Sequence, residues 1–167
     1  VRMYQPRWVV FENVRGILET EAGKFAHLMI KELELLGYTC RSTILNAEDF
    51  GIPQRRDRFF IVANRDGTKF CFPTALKNKV SVEDAIRDLP ELENGENVCF
   101  RKYTSKKPSK YVLSLRNDLE TNGCHNNLVS RNANCVVERY RHIPQGGNWE
   151  NIPLELMANY KDRTRCH

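Results

Sequence analysis

Phe59-Phe60-Ile61-Val62-Ala63 is a run of five apolar residues. Successive side chains of an extended chain point to opposite faces. Such a run therefore has no face for water and must be covered on both sides. Trp8-Val9-Val10-Phe11 has the same texture. Between the two, Phe25, Leu28, Met29, Leu33 and Leu36 recur at the spacing of one helix face. Gly37 stands where a left-handed residue ends a helix. Tyr38 to Leu45, rich in Thr, Tyr and Ile, reads as a second strand. Strand, helix, strand and strand, with strands of the buried type, predict an α/β fold, part of a sheet with helices on its faces.

The connections follow from the remaining residues. Glu12 to Gly16 is expected to turn the chain out of its first strand, and Asn46 to Arg56, with Gly51 and Pro53, to form a loop before the third. Asn64 to Val80 reads as loop. Ser81 is placed to cap a short helix, with Asp84 at the third helical position, and Pro90 bounds it. Beyond Pro90 periodicity fades and Asn, Lys and Arg accumulate, so the chain is expected to divide into residues 1–89 and an irregular part, 90–167. Pro153 to Tyr160 is expected to form a short helix with Pro in its first turn. There is no internal repeat.

Charge follows the same division. Residues 1–100 hold 14 Lys/Arg against 15 Asp/Glu, and residues 101–167 hold 12 against 6. All of the net +5 therefore comes from the second part, which points to a polyanion partner or to ordinary solubilising charge. No apolar run approaches the ~18 residues that span a bilayer, and the N-terminus lacks a signal peptide's layout. The six cysteines are widely spaced, with no Cys-x-x-Cys, and read as reduced thiols in a cytoplasmic protein. Cys124-His125 and Cys166-His167 lack the paired spacing of a zinc motif, so no metal is expected. The absence of an initiator Met, with a strand almost at once, suggests missing upstream residues.

Two strings carry chemistry. Phe11-Glu12-Asn13-Val14 puts a carboxylate at the carboxyl end of a strand, the edge where open α/β sheets bind ligands; the same Glu could be a solvated turn residue. Gly51-Ile52-Pro53-Gln54-Arg55-Arg56-Asp57-Arg58 puts three arginines within four residues on a stiff loop. In extended chain Arg56 and Arg58 share a side, and guanidinium forks suit carboxylates and phosphates; a basic surface turn is the alternative. Further on, Arg101-Lys102-Tyr103-x-x-Lys106-Lys107-x-x-Lys110 carries five positive charges in ten residues. Lys102, Lys106, Lys107 and Lys110 are candidate phosphate contacts, or a solvated loop. Arg163 and Arg165 are candidates of the same kind.

Taken together, the order strand–Glu12-Asn13-Val14, amphipathic helix, strand, Asn46-Ala47-x-Asp49-Phe50-Gly51-Ile52-Pro53-Gln54-x-Arg56-x-Arg58, strand resembles the cytosine-5 DNA methyltransferase family. Ala85-Ile86-x-Asp88-Leu89-Pro90 and Ile143-Pro144-x-Gly146-Gly147-Asn148-Trp149 resemble its bacterial and phage members. The resemblance implies that residues 1–89 are the second half of a Rossmann-like methyltransferase sheet. Residues 90–167 would then be an incomplete target-recognition domain. In that family a thiolate adds to cytosine carbon 6, and carbon 5 takes a methyl group from S-adenosyl-L-methionine. The resemblance makes Glu12 the acid at ring nitrogen 3, with Asn13 fixing the turn beside it. Arg58 would hold the base's carbonyl or neighbouring backbone. Arg56 would steady the Glu12 carboxylate, and Gln54 would be mainly structural. Double-stranded DNA is the implied partner. The base must leave the helix, which costs a few kcal/mol.

The chain also departs from the pattern. The aromatic-Gly-x-Gly cofactor loop, the Pro-Cys nucleophile loop and the closing helix are not in it; none of the six cysteines follows a proline. The main cofactor-binding loop thus lies outside this chain, and no cofactor-binding residue is assigned. By itself the chain is expected to be inactive. It would be part of a larger enzyme or one chain of a split enzyme with a complementary partner. A non-catalytic DNA-binding relative is the alternative. A third class, a protein-interaction module, fits the charge balance of residues 1–100 but leaves the Gln54–Arg58 loop unexplained.

Overall fold

The computed structural model describes residues 1–116 and 122–157. The chain forms two compact units, Val1–Arg87 with Lys107–Asp118, and Asp88–Lys106 with Leu119–His167.

The first unit is built on a three-stranded sheet of β1 (Trp8–Val14), β2 (Thr39–Asn46) and β3 (Asp57–Asn64). Its order is β1-β3-β2, with β3 antiparallel to both neighbours. The last strand in sequence is thus the central one. That place explains its uniform apolarity: Ile61 and Ala63 are 0% exposed, and Phe59 and Val62 are buried. Burying each such side chain stabilises by roughly 1.5–3 kcal/mol.

The helix α1 (Lys24–Leu35) covers one face of the sheet. Ala26 and Leu33 meet Phe59, Ile61 and Ala63 there, with Val9, Phe11, Met29 and Ile30 around them. The end of α1 is well determined. Gly37 takes φ +84°, Gly37 N–H donates to Glu34 O, and Tyr38 N–H donates to Leu33 O. These are the two reversed bonds of a Schellman ending, which release the chain into β2.

Three expectations about the first unit change. Glu12, Asn13 and Val14 belong to β1 and do not form a turn, because the ladder continues through Glu12↔Phe60 to Val14↔Arg58. β1 is not covered on both faces, since Val10 is 67% exposed; it is also an edge strand, paired with β3 alone. Phe25 and Leu28 of the helical stripe are exposed as well, for α1 turns Ala26, Leu33, Met29 and Ile30 toward the sheet.

Ser81 caps α2 (Val82–Ile86) with a reciprocal bond set: its hydroxyl accepts from Asp84 N–H, and the Asp84 carboxylate accepts from Ser81 N–H. Ser109 then ties α3 (Lys110–Arg116) to α2, donating to Asp84 O and accepting from Val112 N–H.

The second unit is more regular than its sequence texture implies. β4 (Asn97–Lys102) and β5 (Gly123–Leu128) form an antiparallel ribbon, with Phe100 packed on His125 at 4.9 Å. The helix α4 (Asn134–Arg141) follows, and its buried Arg139 donates from Nε to Leu156 O. The Gly146-Gly147 turn leads to Asn148, which caps a single 3₁₀ turn starting at Trp149. A second 3₁₀ turn spans Leu154–Met157, where a helix from Pro153 was expected; residues 158–160 lie outside the described residues. No helix among the described residues is long and apolar enough to cross a membrane.

Candidate active site

Along β1 the side chains of Trp8, Val10, Glu12 and Val14 take the face opposite α1, because Val9 and Phe11 take the other. The register sets Glu12 against Phe60 and Val14 against Arg58. Arg58 and Phe60 therefore share that open face with Glu12. At the far end of the same face, Trp8, Phe70 and Phe72 form an edge-to-face aromatic row, with ring centroids 6.0 and 5.0 Å apart. The Glu12 end has no such cover: the Glu12 side chain is 47% exposed.

There Arg58 Nε lies 2.6 Å from Glu12 Oε1. Arg58 Nη1 also donates to the carbonyl of Asp57 at 3.0 Å. Two bonds from different edges of one planar group fix its orientation better than a single contact would. A half-exposed ion pair contributes at most about 1 kcal/mol to stability, so its value is directional.

Beside the pair is a hollow of about 200 Å³ lined by Leu45, Ala47, Phe50, Ile52, Phe60, Arg56 and Arg58. Arg56 and Arg58 thus border one space. Arg58, however, makes the ion pair with Glu12, the part that the resemblance gives to Arg56. Asn13 accepts from Val14 N–H through its own Oδ1 at 2.8 Å, stiffening the end of β1. Gln54 is exposed, and its backbone N–H closes a tight turn onto Ile52 O at 2.7 Å.

The loop before β3 rests on Asn46, which the sequence reading placed in a motif but gave no role. Asn46 Oδ1 accepts from Glu48 N–H and Arg56 N–H, and its Nδ2 donates to Asp57 Oδ1 at 2.8 Å. Asp57 Oδ2 faces Arg15 Nη1 at 3.4 Å. Lys79 bridges Glu48 and Asp49 on the outer side of the same loop, at 2.9 and 3.0 Å. That carboxylate pair raises its pKa. An Asn closing a strand just before a loop that returns antiparallel is the signal that could have found the clamp.

The basic candidates divide between the units. Lys102 ends β4 opposite Gly123, and Lys106 follows in the same unit. Lys107 and Lys110 belong to the first unit, with Lys110 opening α3. All four are exposed. Arg163 and Arg165 lie outside the described residues.

The five described cysteines are free thiols. Burial first, and Glu34 second, raise the pKa of Cys40 above its ordinary value, which disfavours the thiolate. Among the described residues no group of three or more His, Cys, Asp or Glu side chains could hold a metal ion. The groove between β1 and α1 offers a methyl-donor nucleoside few polar partners. It is lined by Met3, Val9, Phe11, Leu28 and Leu33, and its two charged side chains, Arg2 and Glu32, are paired with each other.

The chain matches the C-5 cytosine-specific DNA methylase family over residues 1–165. It is 31% identical to Type II methyltransferase M1.HphI of Haemophilus parahaemolyticus, over 77% of this chain and 35% of that protein. It is 41% identical to Type II methyltransferase M.MthTI of Methanothermobacter thermautotrophicus, over 59% of this chain and 33% of that protein. It therefore spans about a third of the length of these curated relatives. The fold is similar to a DNA modification methyltransferase encoded within an E. coli prophage, with a TM-score of 0.57 at 19% identity, over 83% of this chain and 46% of that one.

Proposed function

The chain belongs to the C-5 cytosine-specific DNA methylase family, and on that premise we propose that it contributes the acid and the base-holding arginines of a DNA (cytosine-5-)-methyltransferase. The observation that carries this reading is the Glu12–Arg58 pair at 2.6 Å, set at one end of the sheet beside an apolar-floored hollow.

Phe60 and Leu45 offer flat apolar surface to a planar ring, while Glu12 and Arg58 offer the polar groups that orient it. Attack of a thiolate on carbon 6 drives electron density into the ring. Glu12 then takes up a proton from solvent and passes it to ring nitrogen 3, help worth roughly 10²–10⁴-fold. Arg58 spends Nε on Glu12 and Nη1 on the Asp57 carbonyl. Its Nη2 is the part assigned to the base's carbonyl oxygen. Arg56, across the hollow, is assigned to the phosphate or backbone beside the extruded base. When bound, S-adenosyl-L-methionine supplies the methyl group; no described residue of this chain is assigned to hold it.

The nucleophile comes from elsewhere, since no cysteine here follows a proline. This chain alone is therefore inactive in the proposed reading. The one-sided pairing of β1 and the exposed Val10 and Leu28 favour a complementary segment or chain docking along β1. Residues 1–89 would be the catalytic part and 90–167 part of the target-recognition domain. Lys102, Lys106, Lys107 and Lys110 would meet phosphates of double-stranded DNA. If Lys106→Ala/Lys107→Ala leaves the salt dependence of DNA binding unchanged, that contact is lost from the proposal.

The deciding experiment is methyl incorporation into cytosine carbon 5 of DNA by the complete protein. No incorporation under any pairing with a complementary part would leave a non-catalytic DNA-binding relative.

A further inference from the structure

On the face of the sheet opposite the Glu12–Arg58 pair, at the same end, three strand ends are tied together by side chains. β1 runs out into Arg15, β2 closes at Asn46 and β3 opens at Asp57. Asn46 and Asp57 are partners in the β2–β3 register. The Asn46 amide carries three bonds: Oδ1 accepts from Glu48 N–H at 3.1 Å and Arg56 N–H at 3.2 Å, and Nδ2 donates to Asp57 Oδ1 at 2.8 Å. Ala47 N–H to Arg56 O, at 3.0 Å, completes the closure of residues 47–56. The remaining oxygen of Asp57 faces Arg15 Nη1 at 3.4 Å, and the Asp57 carbonyl receives Arg58 Nη1 at 3.0 Å.

We infer that Asn46 is a positioning residue for the Glu12–Arg58 pair, acting through Asp57; this rests on the reading of that pair as the base-holding site. The amide is the group that the junction requires. It must accept two backbone N–H groups and also donate to a carboxylate, which a carboxylate cannot do. A carboxylate in place of the amide would keep the two acceptors, lose the donor, and set a second negative charge against Asp57. Asp57 would then turn from its neighbour, and its backbone, which holds the Arg58 guanidinium, would turn with it. The junction is half-buried and lies outside the α1–sheet core. Its loss is therefore felt in the direction of Arg58 more than in the survival of the fold.

The test compares the complete protein with Asn46→Asp and with the reversed pair Asn46→Asp/Asp57→Asn. In the reversed pair the amide stands on β3 and can donate to a carboxylate on β2, so the bond between the two strands is restored with its ends exchanged. Asn46→Asp is expected to lower kcat about tenfold or more with KM for DNA changed less than about twofold, because a small displacement of an orienting group acts on turnover. The reversed pair is expected to recover most of that loss. Should Asn46→Asp fail to fold, Asn46→Ser, which keeps an acceptor and loses the amide donor, is measured against the same criteria. Unchanged kcat, or a reversed pair no better than the single variant, overturns the inference. Amide exchange at Glu48 and Arg56 is followed in Asn46→Ala, which removes the oxygen that both N–H groups reach, and is expected to accelerate there. Wild-type protein without methyl transfer defeats the functional reading. In that case exchange alone decides whether Asn46 clamps the loop, and unaltered exchange overturns this inference.

Discussion

Arg58 reaches from the central strand of the sheet to the edge strand beside it and places Nε 2.6 Å from Oε1 of Glu12. The two residues are not direct cross-strand partners: Arg58 is opposite Val14, and Glu12 is opposite Phe60. The contact is a diagonal one, within reach of a long side chain on the same face.

Glu12→Gln preserves size and an acceptor for Arg58 but removes the group that passes a proton to the ring. In the complete protein it is expected to lower methyl transfer by about 10²-fold or more while DNA affinity holds. Methyl incorporation and a binding isotherm on the same DNA check this. Undiminished turnover sinks the assignment of Glu12.

Arg58→Lys should cost more turnover than Arg56→Lys. A lysine has no planar fork and cannot serve Glu12 and the Asp57 carbonyl together. Side-by-side kinetics decide it, and an equal or larger loss at Arg56 would move the carboxylate-steadying role back to that residue.

The 167-residue chain, purified away from host enzymes, is expected to transfer no methyl group. Turnover above a no-protein control would mean that a nucleophile exists among its six cysteines.

Asp66 governs a pH effect. Hydrogen bonds from Thr68 chiefly, and then Arg7, hold its carboxyl down to about 2 from an ordinary 3.8. A depressed folded-state value stabilises the fold above about 3.8, and the contribution disappears as pH falls toward 2. Acid unfolding of Asp66→Asn is expected to be flatter in that window than wild type. Superimposable curves would remove Asp66 from the account.

Gly123 on β5 has no room for a side chain: a Cβ would fall onto the Arg101 carbonyl and the Phe100 ring. Gly123→Ala is expected to destabilise the β4–β5 ribbon by about 1–3 kcal/mol. Thermal melting and exchange at Tyr103 N–H, which donates to Asn122 O, report it. An unshifted melt with intact protection would show that the ribbon gives way at no cost.

Much of the first unit was legible because burial leaves a pattern. The five apolar residues of β3, the glycine after α1 and the Ser81–Asp84 cap each have one local cause. Strand order was not legible. An apolar run records that a strand is covered, not which strands cover it, so nothing in residues 59–63 says that they lie between β1 and β2. Glu12 and Asn13 read as a turn because their polarity breaks the run; the open face of the strand tolerates Glu12, and Asn13 sits near the strand's end, where its Oδ1 accepts from Val14 N–H. The partner of Glu12 depended on a diagonal that only the register supplies. β5, Gly-Cys-His-Asn-Asn-Leu, has few residues that favour strands. It is held by its ladder to β4, an interaction between distant segments that leaves no local signature.

The central position of β3 also has a temporal meaning. β1 and β2 do not pair with each other, so as the ribosome releases the chain, neither has its β3 ladder until residues 57–64 emerge. Helix α1 can form early from local contacts and β2 meets β3 across the short loop of residues 47–56, but β1 must reach β3 across a long separation, the slow kind of step in folding. Until then β3 presents an unpaired, adhesive edge, and the yield in a cell will depend on what shields it during those seconds.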